Sequence, residues 1–372
     1  MNLALTDEQE FLREAARGAL SRVETVKAAR EALEGGELPD LWPTAVEAGW
    51  PGLLVDEDHG GAGLGAFDAM LVAQECGRVL APVPLLGLLP ASALLQAAGD
   101  ERLEAVAAGE LRPAWLPARP PGDLVGGWTV DARVGKHRAP VPIAAVDGDA
   151  VTFTGEVAWV PDAPGADLLV VVGTDEAGAA VAGAVAVSEA HVEAVTRYDA
   201  TRSLAHVTLD ATAGRRLAVT DEQLSRAWYL AQALLAAESL GAVEATLEMA
   251  VQYAKERFTF GRAIGSYQAI KHGLTEVLRR QENSRSLLYY AGWAYTDRPG
   301  EFSLAASAAR AAAGRALDYA ARQNITTHGG IGATWEHDAP LYFRRAQLTR
   351  RLLGGNADAT DRVAGELLAA TG

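Results

Sequence analysis

Cysteine is nearly absent from this chain. Cys76 is the one thiol, so no disulfide can form within the chain. It falls in a helical pattern just before Gly77, where a small core side chain is expected. Long hydrophobic runs are missing too. No apolar stretch reaches ~18 residues without a charge or a break, so the expectation is that no segment spans a membrane. Basic runs are also lacking. The net charge is −15 and no cluster of cations offsets it, which argues against a nucleic-acid partner. The seven histidines (His59, His137, His191, His206, His272, His328 and His337) show no metal-ligand spacing. Neither a Gly-x-Ser-x-Gly nor a Cys/His nucleophile pattern occurs. Gly60-Gly-Ala-Gly63 does not follow a strand, so it is no dinucleotide fingerprint. Met1 to Glu10 is polar and acidic, unlike a signal peptide. These absences together predict a cytoplasmic protein with neither membrane nor nucleic acid as partner.

What is present is an apolar content of 49% over 372 residues, enough for two or three cores. Residues 6–109 read as helical. Thr6-Asp-Glu-Gln9 is a capping-box pattern before apolar positions at helical spacing. A helix over Phe67–Arg78 is expected to break at Pro82 and Pro84 and resume over Ala91–Ala108. From 111 to 215 short Val/Thr-rich runs alternate with turns: Val141–Val146, Ala150–Thr154, Leu168–Val172, Ala180–Val187 and Ala205–Leu209. These predict a small barrel or sandwich. From 220 onward four long helices can be drawn, Asp221–Arg257, Tyr267–Thr296, Phe302–Gln323 and Ala339–Leu353, with a short tail helix to Ala369. They would pack as a four-helix bundle. The expected organisation is α+β and multidomain: an N-terminal helical domain (1–110), a central β domain (111–215) and a C-terminal bundle (216–372).

Two stretches carry chemistry. Tyr253-Ala-Lys-Glu-Arg-Phe-Thr-Phe-Gly-Arg-Ala-Ile-Gly-Ser-Tyr-Gln268 sets a polar corner between two helical patterns. Such a corner can hold a diphosphate. A guanidinium forks onto phosphate oxygens, glycine lets the backbone approach, and threonine donates a hydroxyl. The second stretch, His328-Gly-Gly-Ile-Gly-Ala-Thr-Trp-Glu336, is a glycine-rich break between helices. With the run that opens Ala48-Gly-Trp-Pro-Gly52 and ends at Leu64, and with Gln74-Glu-Cys-Gly-Arg78, these segments resemble the acyl-CoA dehydrogenase flavoproteins over nearly the whole length. The resemblance implies that family's helix–β–helix fold, FAD as cofactor, an acyl-CoA substrate and an electron-transfer flavoprotein as acceptor. Arg257, Thr259, Phe260 and Gln268 match the family's diphosphate- and adenosine-facing residues, and Gly329 and Gly330 match its glycine pair. Thr326 stands where a glutamine is usual.

The other half of the expected site departs from the pattern. The family removes an α proton with a carboxylate while the β hydride passes to the flavin. At the usual position of that carboxylate stands Leu353, and at the alternative position on the first bundle helix stands Ala231. Glu238 is the nearest carboxylate on that helix, ~10 Å further along the same face, and is the one candidate base. In the β domain the family's Thr-Glu-Pro-Gly loop is replaced by Trp115-Leu-Pro-Ala-Arg-Pro-Pro-Gly-Asp123. Trp159 survives from the flavin-facing strand. The threonine two residues later has become Pro161, which has neither hydroxyl nor amide hydrogen. In this family the flavin lies between the β domain of one subunit and the bundle of its neighbour. A chain with only the neighbour-serving half resembles the non-catalytic subunit of actinobacterial α2β2 enzymes acting on sterol side-chain CoA esters. Two rival readings are a self-sufficient enzyme using Glu238 and a structural member without redox function.

Overall fold

A computed structural model describes residues 4–119, 126–132, 138–195 and 198–369. Six helices come first: α1 (Asp7–Leu20), α2 (Thr25–Leu33), α3 (Trp42–Glu47), α4 (Ala66–Arg78), α5 (Leu85–Ala98) and α6 (Leu103–Ala107). The capping box forms as expected. Thr6 Oγ1 accepts from Gln9 N at 3.2 Å, and Thr6 N donates to Gln9 Oε1 at 3.1 Å. The expected helix over Ala91–Ala108 is instead two. Helix α5 starts already at Leu85, with Pro90 inside it, and Gly99 ends it in a left-handed conformation (φ 61°). Proline costs α5 a hydrogen bond, but the helix is buried from Leu85 to Leu95 almost without interruption, so packing outweighs propensity.

The strands are β1 (Pro113–Trp115), β2 (Thr129–Val130), β3 (Arg138–Ala139), β4 (Ile143–Asp147), β5 (Ala150–Pro161), β6 (Leu168–Thr174), β7 (Ala180–Ala186), β8 (His191–Ala194) and β9 (Leu204–Leu217). They pair in the order β6-β4-β5-β9-β7, and β7 pairs again with β6, so of barrel and sandwich it is the barrel that forms. Phe153 fills its middle. A Cβ added to Gly183 would stand 2.7 Å from the Phe153 ring, so glycine makes room for the aromatic there. Strands β5 and β9 run well beyond the expected segments. Register shifts at Phe153/Gly155 and Val157/Val160 interrupt the alternation that would have shown β5 in full.

The chain then returns to helix: α7 (Asp221–Glu256), α8 (Gln268–Asp297), α9 (Pro299–His328), α10 (Ala339–Thr349) and α11 (Gly355–Ala369). Helix α10 stops at Thr349 and not at Leu353. Leu353, Gly354 and Gly355 all have positive φ (51°, 79° and 68°), which no right-handed helix accommodates. The long helix α7 crosses α4 at backbone contact. A Cβ on Gly241 would lie 1.9 Å from Gln74 O, and one on Gly77 would lie 2.0 Å from Glu238 O. No helix is long and apolar enough to cross a membrane among the described residues.

A buried ionic cluster joins the barrel to the helices. Glu238 on α7 pairs with Arg202, which precedes β9, and lies 3.6 Å from Arg345 on α10. Arg345 Nε donates to Asp199 at 3.0 Å. Asp162 follows β5 and accepts from Gly87 N of α5 at 2.9 Å. Burial pushes the Asp162 carboxyl up to about 6, with Glu238 adding to the effect and Arg202 opposing it. A folded-state pKa above the unfolded value means that the folded protein binds this proton more tightly. The resulting stabilisation is present below the unfolded pKa near ~4 and is lost as pH rises through about 6. Asp162→Asn should therefore gain on the wild type by ~2–3 kcal/mol between pH 4 and pH 7. Thermal unfolding midpoints of both proteins across that range check this; a pH-independent difference would refute it.

Candidate functional site

Alternating helix directions bring the end of α7, the start of α8 and the end of α9 to one end of the bundle. There the Tyr253 and His328 rings stack at 4.3 Å, tying the polar corner to the glycine-rich break. Two short strands, β10 (Phe258–Thr259) and β11 (Arg262–Ala263), fold the corner into a hairpin. Its turn is Phe260-Gly261, both at positive φ (50° and 75°), as two-residue hairpin turns of type I′ require. Phe260 is 97% exposed. An aromatic residue held in the left-handed region costs about 1 kcal/mol or more, and here its ring gains no packing within the chain.

Arg257 stands in extended backbone just past α7 (φ −81°, ψ 124°). Its main chain is fixed on both sides: N donates to Tyr253 O at 2.8 Å, and O accepts from Ile264 N at 2.8 Å. Its guanidinium has no hydrogen bond or ion pair among the described residues. The adjacent helix carboxylate, Glu256, accepts from Gln252 and does not claim it. Thr259 O accepts from the Tyr267 hydroxyl at 3.2 Å, and the Arg262 guanidinium lies over the Tyr267 ring at 4.1 Å. Gln268 is exposed as the first residue of α8. Gly329 closes α9 with φ 65° and ψ −138°, a conformation suited to glycine, and nothing lies within 4 Å of where a Cβ would stand on Gly329 or Gly330. The Thr326 hydroxyl donates back to Arg322 O at 2.9 Å and is engaged within its own helix. An unpartnered fork, an exposed aromatic and an open glycine backbone at one end of the bundle fit an elongated diphosphate-bearing group such as FAD.

Between barrel and bundle lies a cleft of 930 Å³. Trp128, Trp159, Trp228 and Leu352–Gly354 form its inner part. Leu353 is buried there, and its carbonyl accepts from Gln232 Nε2 at 2.9 Å. Ala231, next to Gln232 on α7, is fully buried. Leu353 is thus hydrogen-bonded to the neighbour of Ala231, and both positions expected for a carboxylate base carry hydrocarbon. Glu238 lies in the ionic junction described above, with its carboxylate engaged by Arg202 and Arg345.

The barrel side of the cleft fits a flavin poorly. Pro161 offers no N–H. Trp159 is held at positive φ (58°), and its ring packs edge-on against His206 at 4.4 Å. Trp128 sits on the turn itself: a Cβ on Gly354 would come within 2.8 Å of its ring. Trp128 in turn packs edge-to-face on Trp228 at 5.5 Å and lies under the Arg138 guanidinium at 4.8 Å. Residues 120–123 of the replaced family loop lie outside the described residues.

Several of these residues escaped the sequence reading. Arg310 is fully buried inside α9 and donates to Thr349 O, Leu352 O and Asn356 Oδ1, pinning the turn that carries Leu353. Burial pushes it down to about 10. A lone arginine inside the small-residue run Ala305–Ala313 was the available signal. Trp128 and the Asp358 carboxylate that binds Arg119 (2.6 Å) and Arg138 (3.2 Å) gave none. Among the described residues no cluster of His, Cys, Asp and Glu could hold a metal ion.

Comparison with known proteins agrees with this architecture. Residues 6–117 match the family model for the acyl-CoA dehydrogenase N-terminal domain, and residues 223–368 match that for the C-terminal domain. The chain is 32% identical over 366 residues to the acyl-CoA dehydrogenase IpdE2 of Mycobacterium tuberculosis, covering 97% of this chain and 98% of that protein. Among solved structures, a chain of the ChsE4–ChsE5 complex from Mycobacterium tuberculosis superimposes with a TM-score of 0.85 at 25% identity, covering 99% of each chain. A chain of the Tcur3481–Tcur3483 steroid ACAD, in a variant form, gives 0.84 at 28% identity over 98% of each. Fold, matched domains and full-length similarity place this chain in the acyl-CoA dehydrogenase family, beside a solved relative described as a steroid ACAD.

Proposed function

We propose that this chain is the non-catalytic subunit of a heteromeric FAD-dependent acyl-CoA dehydrogenase, completing the flavin site of a homologous partner. The observation that carries the reading is a contrast. Arg257 presents a guanidinium without a partner among the described residues, at an open corner, whereas Leu353 and Ala231 put hydrocarbon at both positions for the base. In this reading Arg257, Thr259, Phe260, Gln268, Gly329 and Gly330 hold the diphosphate and adenosine of an FAD whose ring system rests on the partner's β domain. FAD bound there supplies the hydride acceptor. The guanidinium of Arg257 forks onto phosphate, and the glycine pair admits the cofactor close to the backbone. Glu238 is then a structural anion and not a base, since freeing it would leave Arg202 buried without its partner.

Two relatives described as pairs of chains, ChsE4–ChsE5 and the Tcur3481–Tcur3483 steroid ACAD, support a mixed α2β2 assembly and a CoA thioester of a sterol side chain as substrate. An electron-transfer flavoprotein in the cytoplasm is the matching acceptor. Exposed apolar side chains at the same end of the bundle, Phe258, Phe260, Ile331 and Trp335, fit a surface covered by another subunit.

Co-expression with the homologous partner should yield a two-plus-two complex carrying about two FAD in native mass spectrometry. Four flavins per tetramer, or a stable yellow assembly of this chain alone, would sink the proposal. Within the mixed complex, Arg257→Ala should weaken FAD binding by ~2–3 kcal/mol, roughly 30- to 150-fold. Flavin retained after dialysis, read by visible absorbance, measures it; unchanged retention would place the diphosphate elsewhere.

A further inference from the structure

We propose that His337 is a proton switch for the glycine-rich break: neutral, it holds residues 329–336 closed against α9 and α10, and protonated it releases them. The break is one short turn between two helices. Its hydrogen bonds run within the turn: Gly332 N donates to Gly329 O at 3.0 Å, Ala333 N to Gly330 O at 3.2 Å and Thr334 N to Ile331 O at 3.0 Å. Ile331 and Trp335 are exposed, so little apolar burial anchors it. Gly332 makes the close approach to α9: a Cβ there would stand 2.6 Å from His328 Cβ. At its far end the segment is held by His337. This half-buried ring stacks on His328 at 4.2 Å, and His328 stacks in turn on Tyr253. One pile of rings thus joins α7, α9 and the approach to α10.

The hydrogen bonds fix the protonation states. His328 Nδ1 lies 2.9 Å from Asn324 O, which can only accept, so that nitrogen carries a hydrogen. Ala339 N donates to His337 Nδ1 at 3.0 Å, so this nitrogen keeps its lone pair. Ala339 is the first residue of α10, and Pro340 after it has no N–H. His337 therefore satisfies the foremost donor of that helix. A proton on Nδ1 would set two donors face to face. It would also place a cation at a helix N-terminus, where the macrodipole is positive. The groups around the ring are His328 of α9 with Tyr253 of α7 behind it, Arg30 of α2, and Glu336 and Asp338 on either side in the chain. Arg30 and Asp338 pair with each other, so that carboxylate is already engaged. Burial pushes the His337 imidazole below the ordinary histidine value; His328 adds to this, Asp338 opposes it, and Arg30 adds again. A depressed value in the closed form means that the open form binds the proton more tightly. The closed form thus has its full stability above the ordinary value, about 6.5, and loses it as pH falls from there through the lowered value.

The break carries Gly329 and Gly330, and the stack reaches the polar corner as well, since Arg257 N donates to Tyr253 O at 2.8 Å. The consequence for the cofactor rests on the reading above: FAD lying on the closed glycine pair and a proton on His337 oppose each other. Hydrogen–deuterium exchange of the peptide over residues 329–341, corrected for the intrinsic effect of pH, tests this in the mixed complex with and without FAD. Without FAD, exchange should speed up by about threefold or more between pH 7 and pH 5. His337→Asn puts an amide oxygen where Nδ1 accepts and cannot gain a proton, so its exchange should not follow pH. His328→Phe keeps a ring in the stack and should retain the wild-type response. A flat wild-type profile, a response that persists in His337→Asn, or one abolished by His328→Phe overturns the proposal. Should circular dichroism show His337→Asn unfolded, the wild-type and His328→Phe profiles decide. Bound FAD should slow exchange of the same peptide. An intact pH response with no slowing by FAD would leave the switch standing and overturn the reading of the corner as a flavin site, so the two failures are told apart.

Discussion

The buried pair of Glu238 and Arg202 is the contact on which the rest of the arrangement depends. Each charge alone would cost several kcal/mol to bury, so the two elements that carry them are held together. Arg202 belongs to the barrel and Glu238 to the longest helix of the bundle. Arg345, from a third element, closes on both Glu238 and Asp199. Glycine makes the geometry possible. Gly77 and Gly241 let α4 and α7 touch at the backbone, which brings the N-terminal helices against the same stretch of α7. The cleft exists because this junction fixes the barrel at a set distance from the bundle.

The cleft and the polar corner differ in how their groups are satisfied. At the cleft the groups are packed and satisfied: Leu353 is buried, Trp128 rests on Gly354, and Arg310 donates to the carbonyls of Thr349 and Leu352. At the corner, groups that would ordinarily be satisfied are left open. Arg257 has its backbone fixed and its side chain free among the described residues, and Phe260 carries backbone strain with its ring in solvent. Strain and exposure of this kind persist where something outside the chain compensates them.

Much of this was legible in residue order. Helices α7, α8 and α9 lie within a few residues of where their apolar spacing put them, because long periodic segments average out local exceptions. The Thr6 capping box is equally local, and it forms. Short strands such as β1, β2, β3 and β8 have too few residues for alternation to show. The start expected at Ala91 falls inside α5, since burial of that helix outweighs the proline within it.

By itself the sequence determined which chemical groups are present and which are missing: no carboxylate at 353 or 231, no amide hydrogen at 161, an arginine and a glycine pair at the two ends of long helices. Those facts hold in any conformation. Tertiary structure alone decided which groups meet. It closed the strands into a barrel, bonded Gln232 to the Leu353 carbonyl, and paired Glu238 with Arg202. It also gathered six arginines from separated parts of the chain into one cleft. The physical reason is range. Propensity, capping and residue chemistry act within a few residues along the chain, whereas ion pairing and packing act between residues that only the fold brings together.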